Sequence, residues 1–371
     1  MKIINAKVYT EEGTFQEIDV YTDGERIANE SNDEVVIDGK GCYLIPGLTD
    51  IHFHGCMGHD FCDGTPEAIE AMALYEASCG VTTIVPATMT LGKETLLDIC
   101  KAAAAYPNQK GAILCGINME GPFVSLKRKG AQNGDYIHKP DVEMFRELNE
   151  ASGKLVKLLA IAPEEPGALE CIRELKDEVV LSVAHTTANY EKTKEAFLAG
   201  ANHVTHLYNA MAGLSHREPG VVGAAADDEH VEVELICDGI HIHPVTVRQT
   251  FKMFGDDRII LISDSMEATG MKDGEYSLGG QKVVKKGNLA TLENGTIAGS
   301  ATNLMDCMRT AVQKMGIPLE SAIKCAAVNP AKSVGIYQDY GSIIPGKVAN
   351  MVLLKEDDLS IQEVFLKGKR I

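Results

Sequence analysis

A chain of 371 residues with 45% apolar and 24% charged side chains has the make-up of a soluble globular protein, large enough for two or three domains or for one barrel with a small appendage. Its 53 acids against 35 Lys and Arg leave a net charge of −18, which repels nucleic acid and anionic membrane and excludes polyanionic partners. A small anionic ligand would need a local cationic pocket, because the overall field opposes it.

Taken in chain order, residues 1–46 read as short β-strands broken by turn signals such as Asp23-Gly24-Glu25-Arg26. The apolar run Tyr43-Leu44-Ile45-Pro46-Gly47-Leu48 reads as one buried strand leading into Asp50-Ile51-His52-Phe53-His54. Residues two apart in extended backbone point the same way, so His52 and His54 present two imidazoles together at that strand's carboxyl end. Further apolar strands are expected at 81–85, 113–119, 156–162, 179–183, 203–207, 233–237 and 259–263. Between most of them lie segments of helical spacing, at 66–78, 94–105, 141–151, 167–176, 190–199 and 244–254. Eight strands alternating with helices predict an α/β fold of parallel βαβ units closed into a (β/α)8 TIM-like barrel over residues 47–337. The stretch 208–230 shows no clear helix and is rich in Gly and Ala, so it is expected to carry function as well as a crossover. Residues 276–297, with Gly279-Gly280 and Glu293-Asn294-Gly295, look like β-hairpins inserted before two last helices at 303–315 and 319–327. Residues 338–371 return to short strands and are expected to form, with 1–46, a small β-sandwich domain.

No apolar run approaches the roughly 18 to 20 residues of a membrane span, and the start Met1-Lys2-Ile3-Ile4-Asn5 is strand-like, so a cytoplasmic protein without membrane association is expected. The ten cysteines are scattered singly with no Cys-X-X-Cys pair, the pattern of free thiols in a reducing compartment.

Barrel active sites lie at the carboxyl ends of the strands. Those ends carry His52 and His54 on the first strand, Glu120 on the third, His185 on the fifth, His206 on the sixth, Asp238 and His241 after the seventh, and Asp264 on the eighth. Taken singly, each has a structural explanation: a core histidine, a turn cap, a buried acid held by amides. All of those explanations must hold at once for a metal site to vanish. Four histidines and a glutamate offer N and O ligands to one or two divalent ions, suiting Zn²⁺, Fe²⁺, Co²⁺ or Mn²⁺ better than Ca²⁺ or Mg²⁺. Such an ion lowers the pKa of a bound water to roughly 7 and polarises a carbonyl. Asp264 would then accept the water's proton and pass it to a leaving group. The histidines at 59, 138, 203, 216, 230 and 243 read as surface or packing residues.

The segment Pro46-Gly47-Leu48-Thr49-Asp50-Ile51-His52-Phe53-His54-Gly55 resembles the strand-one motif of the amidohydrolase superfamily. Met119-Glu120-Gly121-Pro122-Phe123, His206-Leu207-Tyr208-Asn209-Ala210-Met211, Arg217-Glu218-Pro219-Gly220 and Asp238-Gly239-Ile240-His241 narrow the resemblance to its N-acetylglucosamine-6-phosphate deacetylase family, as do Gly299-Ser300-Ala301, Asn329-Pro330-Ala331 and Gly346-Lys347-Val348-Ala349-Asn350. The resemblance spans nearly the whole chain. It implies hydrolysis of the acetamide of a small phosphorylated N-acetyl amino sugar, with Glu120, His185 and His206 as principal metal ligands, joined by His52 and His54, and Asp264 as general acid/base. It implies one or two ions per subunit, Zn²⁺ first among them. Substrate contacts are implied at Ala131, Gln132, Asn209, Ala210, His241 and the stretch Ile297, Ala298, Gly299. It also implies a homodimer in which Arg217 reaches the neighbour's substrate phosphate, a bidentate contact that suits guanidinium.

Two features set this chain apart within that pattern. Both strand-one histidines are present, where some members lack them. Gln132 stands where many members have a histidine, and an amide can donate a hydrogen bond but carries no charge. A second ion is expected to take over part of the oxyanion stabilisation. Deacetylation of the galacto epimer stays open, as spacing does not separate epimers. A cyclic amidohydrolase is the weaker alternative, because the fourth strand ends Ala160-Ile161-Ala162-Pro163-Glu164 without a bridging lysine. A non-catalytic scaffold of the same fold fits less well still, because the ligands and Asp264 are all retained.

Overall fold

The computed structural model describes residues 1–371. The apolar run around Ile45 serves two sheets, not one. Cys42–Pro46 runs antiparallel to Met351–Lys355 and parallel to Lys7–Tyr9, whereas Leu48–Asp50 pairs in parallel with Val81–Ile84. The single expected strand is therefore two, and they part at Gly47. A Cβ at that position would lie 2.2 Å from Thr82 Oγ1, so only glycine lets the backbone pass so close to its neighbour.

Eight parallel strands then follow in chain order: Leu48–Asp50, Val81–Ile84, a third in two pieces (Ile113–Leu114 and Ile117–Met119), Val156–Ile161, Val180–Val183, His203–Val204, Glu232–Ile236 and Ile259–Ile262. The third is broken because Gly116 abuts the fourth strand, where a Cβ would meet Lys157 Cγ at 2.3 Å. Its first piece pairs with the second strand and its second piece with the fourth, and Ala87 bridges to Asn118. At the other edge the Asp264 N–H donates to the His52 carbonyl at 2.9 Å, linking the end of the eighth strand back to the first.

Alternation within the strands sorts their side chains into two cores. Leu159, Leu235 and Leu261 join the large core under the helices, while Leu158, Ile236, Ile260 and Ile262 face a second, smaller cluster with Ile51 and Val85. Strands buried on both faces read as continuous apolar runs. Helices connect them, several started by a side-chain cap. Before Pro66–Ser78 the Thr65 hydroxyl accepts from the Ala68 N–H, with proline at the first helical position.

The stretch expected to lack a helix contains one, Gly220–Ala226. Its Val221, Val222, Ala224 and Ala225 are all buried, so it has no polar face and no amphipathic period to betray it. The inserted β-region extends beyond 276–297 into a four-stranded antiparallel sheet of Gly274–Leu278, Gln281–Lys286, Leu289–Leu292 and Ile297–Ser300. Its bridge from Ser300 to Ser265 sets it against the end of the eighth parallel strand.

The chain's two ends are woven together. A six-stranded sheet contains Lys7–Tyr9, Phe15–Glu17 and Cys42–Pro46 from one end with Met351–Lys355, Ile361–Leu366 and Lys369–Arg370 from the other. Beside it lies a four-stranded sheet from residues 2–38, and Ile3, Val8, Ile27, Leu44, Leu353 and Phe365 share a separate buried cluster. All ten cysteines are free. No helix is long and apolar enough to cross a membrane.

Candidate metal centre and active site

The parallel strands deliver the chemically capable side chains to one end, and the backbone there is strained to do so. His185, His206 and Asp264 adopt φ of 43°, 30° and 48°, the left-handed region that non-glycine residues seldom occupy outside functional sites.

Glu120 is the hub. Its Oε1 lies 2.9 Å from His185 Nε2, 2.9 Å from His206 Nε2 and 3.5 Å from His52 Nε2, and its Oε2 lies 3.2 Å from His54 Nε2. Two groups of potential ligands, His52/His54/Glu120 and Glu120/His185/His206, share this one carboxylate. The Nε2 atoms of His185 and His206 stand only 3.1 Å apart, an approach of two imidazole nitrogens that a cation between them would turn from repulsion into attraction. His52 Nε2 is buried with no hydrogen-bond partner. Imidazole and carboxylate donors so converged fit a divalent transition ion.

Partners behind the rings fix which nitrogen faces inward. His185 Nδ1 is 3.0 Å from the Arg128 carbonyl and His52 Nδ1 is 2.8 Å from Glu234 Oε2, so each Nδ1–H donates outward and leaves Nε2 as the ligand atom. Gln132 has its amide N–H on Glu120 Oε2 and its carbonyl on the Thr90 N–H, both at 2.6 Å. Expected to serve substrate, it also braces the hub.

A cavity of about 390 Å³ opens over this centre. Of the residues named from sequence, His54, Glu120, His185, His206 and Asp264 reach it from the metal side, and Ala131, Gln132, Asn209, Ala210, His241, Ile297 and Gly299 line the rest. His52 lies beneath, fully buried. Ala298 does not line the cavity: its side chain belongs to the small core under the inserted sheet. Arg217 sits in an exposed loop away from the cavity of its own chain. His241 Nδ1 is 2.7 Å from Asp238 Oδ2, which leaves Nε2 for a ligand.

Sequence reasoning missed four residues here. Lys127 and Arg128 line the cavity and supply the local positive charge that the acidic chain needs; the basic run Lys127-Arg128-Lys129 so soon after Glu120 was the signal. Glu234 and His203 are wholly buried under His52, bonded to each other at 3.1 Å. The signal for Glu234 was a carboxylate inside the otherwise apolar Val233–Cys237. His203, set aside as surface or packing, is part of a buried polar network.

The electrostatics follow from this crowding. Burial opposes charge on His52, yet Glu234 and Glu120 hold its pKa well above the usual imidazole value. Burial likewise opposes charge on His54 and His203, but hydrogen bonds to Asp264 and Glu120 raise the first to about 10, and Glu232 and Glu234 raise the second to about 9. A folded-state pKa above the unfolded 6.5 means the protonated rings stabilise the fold fully below about pH 6.5, with that stability lost as pH climbs through about 9 to 10. Chelator-treated protein should therefore melt at progressively lower temperature from pH 6.5 to 10, and a flat profile would show that these rings are neutral in the folded chain. Uptake of an ion displaces the protons of the ligand rings His52 and His54, so metal affinity should weaken as pH falls.

Comparison with known proteins agrees with this geometry. The sequence model of the Amidohydrolase family matches residues 43–371. An N-acetylglucosamine-6-phosphate deacetylase of Bacillus subtilis (strain 168) is 39% identical over 85% of this chain and 81% of its own length. An N-acetylgalactosamine-6-phosphate deacetylase of Escherichia coli O157:H7 is 34% identical over 98% of this chain and 97% of its own. The solved structure of a mutant N-acetyl-D-glucosamine-6-phosphate deacetylase from Mycobacterium smegmatis, in complex with N-acetyl-D-glucosamine-6-phosphate, superposes with a TM-score of 0.93 at 32% identity, covering 100% of this chain and 98% of that one. With ligand-bearing strand ends arranged around one shared glutamate and a family match running from the first parallel strand's approach to the last residue, the chain belongs to the amidohydrolase family.

Proposed function

We propose that the protein is an N-acetylglucosamine-6-phosphate deacetylase, hydrolysing the acetamide of N-acetyl-D-glucosamine 6-phosphate to glucosamine 6-phosphate and acetate. The observation that carries this is the Glu120 hub with Asp264 at its edge, 3.4 Å from His54 Nε2, facing a cavity with two cationic residues. In this reading the eight parallel strands form a (β/α)8 barrel over 47–337, and the interwoven ends form a β-sandwich domain of 1–46 and 338–371. The enzyme works in the cytoplasm.

Glu120, His185 and His206 would hold one divalent ion and His52, His54 and Glu120 a second, with Zn²⁺ the first choice and Fe²⁺, Co²⁺ or Mn²⁺ the others. When bound, such an ion acidifies water and polarises the acetyl carbonyl. The remaining steps belong to this chain. Burial pushes the Asp264 carboxyl up, but the hydrogen bond from His54 and the charge of His52 bring it below the usual aspartate value, so it enters the reaction as a base. It takes a proton from the water that forms the new C–O bond, then delivers it to the nitrogen as the C–N bond breaks. His241, Asn209 and Ala210 hold the sugar phosphate, Ile297 and the backbone at Gly299 line the sugar, with Ala298 anchoring that stretch in the core behind it, and Ala131 and Gln132 border the acetyl group. In a homodimer Arg217 reaches the phosphate in the partner's cavity.

The test is acetate release from N-acetylglucosamine 6-phosphate beside its galacto epimer and the unphosphorylated sugar. Chelator-sensitive release from the phosphorylated gluco compound supports the reading. Preference for the galacto compound would favour the activity named for the Escherichia coli relative, and no release from any of the three would remove the assignment. Arg217→Ala should raise KM for the phosphorylated substrate by about 10- to 100-fold, the worth of a hydrogen bond to a charged group. An equal effect on the unphosphorylated sugar would take Arg217 off the phosphate.

A further inference from the structure

Below the cavity, where no substrate reaches, a row of buried polar groups runs from His52 toward the opposite ends of the strands. Glu234 lies on the seventh strand and His203 on the sixth, and neither has any exposed surface. Glu234 Oε2 is 2.8 Å from His52 Nδ1 and accepts the His206 N–H at 3.1 Å, while Oε1 is 3.1 Å from His203 Nε2. His203 Nδ1 in turn lies 3.4 Å from Ser333 Oγ and 3.7 Å from Glu232 Oε2.

A carboxylate this deeply buried survives only when fully paired, and each pairing here has a directional consequence. An acceptor on Nδ1 obliges His52 to keep a proton there and turns Nε2 inward as the atom that would face an ion. That Nε2 is the buried atom without a partner, 3.5 Å from Glu120 Oε1 and 3.8 Å from Asp264 Oδ1. The same carboxylate also grips the backbone of His206, a member of the other ligand group. His203 sits behind Glu234 and prevents it from rotating away from both.

We propose that Glu234, held in place by His203, is a positioning residue that fixes His52 as a ligand for a second divalent ion beside the Glu120/His185/His206 site. This rests on the metal-dependent reading above. A ligand lacking such support is free to turn or change tautomer, and loss of an outer partner of this kind weakens metal binding by roughly 10- to 100-fold.

The test is metal titration of the full chain, freed of metal and reloaded with Zn²⁺ in competition with a chelator, with ions per chain counted after dialysis. Two ions are expected in the unaltered protein. Glu234→Gln should weaken the second by about 10- to 100-fold and leave the first within a few-fold. Wild-type affinity for both ions in folded Glu234→Gln overturns the proposal. If that variant does not fold, His203→Gln decides in its place: a weakened second ion supports the proposal, and two ions held at full strength overturn it. A single ion in the unaltered protein overturns the proposal while leaving a one-metal deacetylase intact, whereas no bound ion at all overturns both.

Discussion

Asp264→Asn is expected to lower turnover by roughly 10² to 10⁴, the range for losing a positioned acid/base, with ion content and folding retained. The substitution is close to isosteric, and asparagine tolerates the left-handed backbone at this position, where φ is 48°. The Asp264 N–H bond to the His52 carbonyl survives it. What disappears is the ability to hold a proton between its removal from water and its delivery to nitrogen. The measurement is kcat for acetate release together with metal content on one preparation. Near-normal kcat in metal-replete Asp264→Asn would take the residue out of the proton path.

Glu120→Gln should have the larger effect on metal, because one carboxylate serves both ligand groups. Substitution of an outer partner costs roughly 10- to 100-fold in affinity, and a shared direct ligand should cost more than that at both positions. The variant's amide N–H groups would also meet nitrogens and the Gln132 amide, which now donates to Glu120 Oε2 at 2.6 Å. Chains of Glu120→Gln should therefore leave dialysis without ions and release no acetate. Retention of two ions would show that His52, His54, His185 and His206 suffice without the carboxylate.

What the sequence made legible were the residues at strand ends. A run such as Ile259-Ile260-Leu261-Ile262 declares a strand buried on both faces, and the first polar residues after it, Ser263 and Asp264, mark where the site begins. The same logic found Glu120, His185 and His206. It overlooked Glu234 and His203 because they sit within strands, where an apolar pattern is read as pure packing; their role is visible only once the first and seventh strands are seen to bring His52 against them. Gly47 was hidden for a related reason. An unbroken apolar run gives no sign that it changes sheets midway, and only the approach of Thr82 shows why a residue without a side chain stands there. The helix Gly220–Ala226 lacked any polar stripe to read, and Lys127 and Arg128 lie beyond the strand end that marks the site, where no periodicity points them at the cavity.

The exchange of sheets at Gly47 has a bearing on the order in which the molecule assembles. The strand just before His52 and His54, Cys42–Pro46, is flanked by Met351–Lys355, with Leu44 opposite Leu353. Contacts so distant in sequence form late, because a long loop must close before they repay its entropy. The backbone leading to His52 and His54 is thus buttressed by a strand from far along the chain, and its packing is complete only once that long-range pairing has closed.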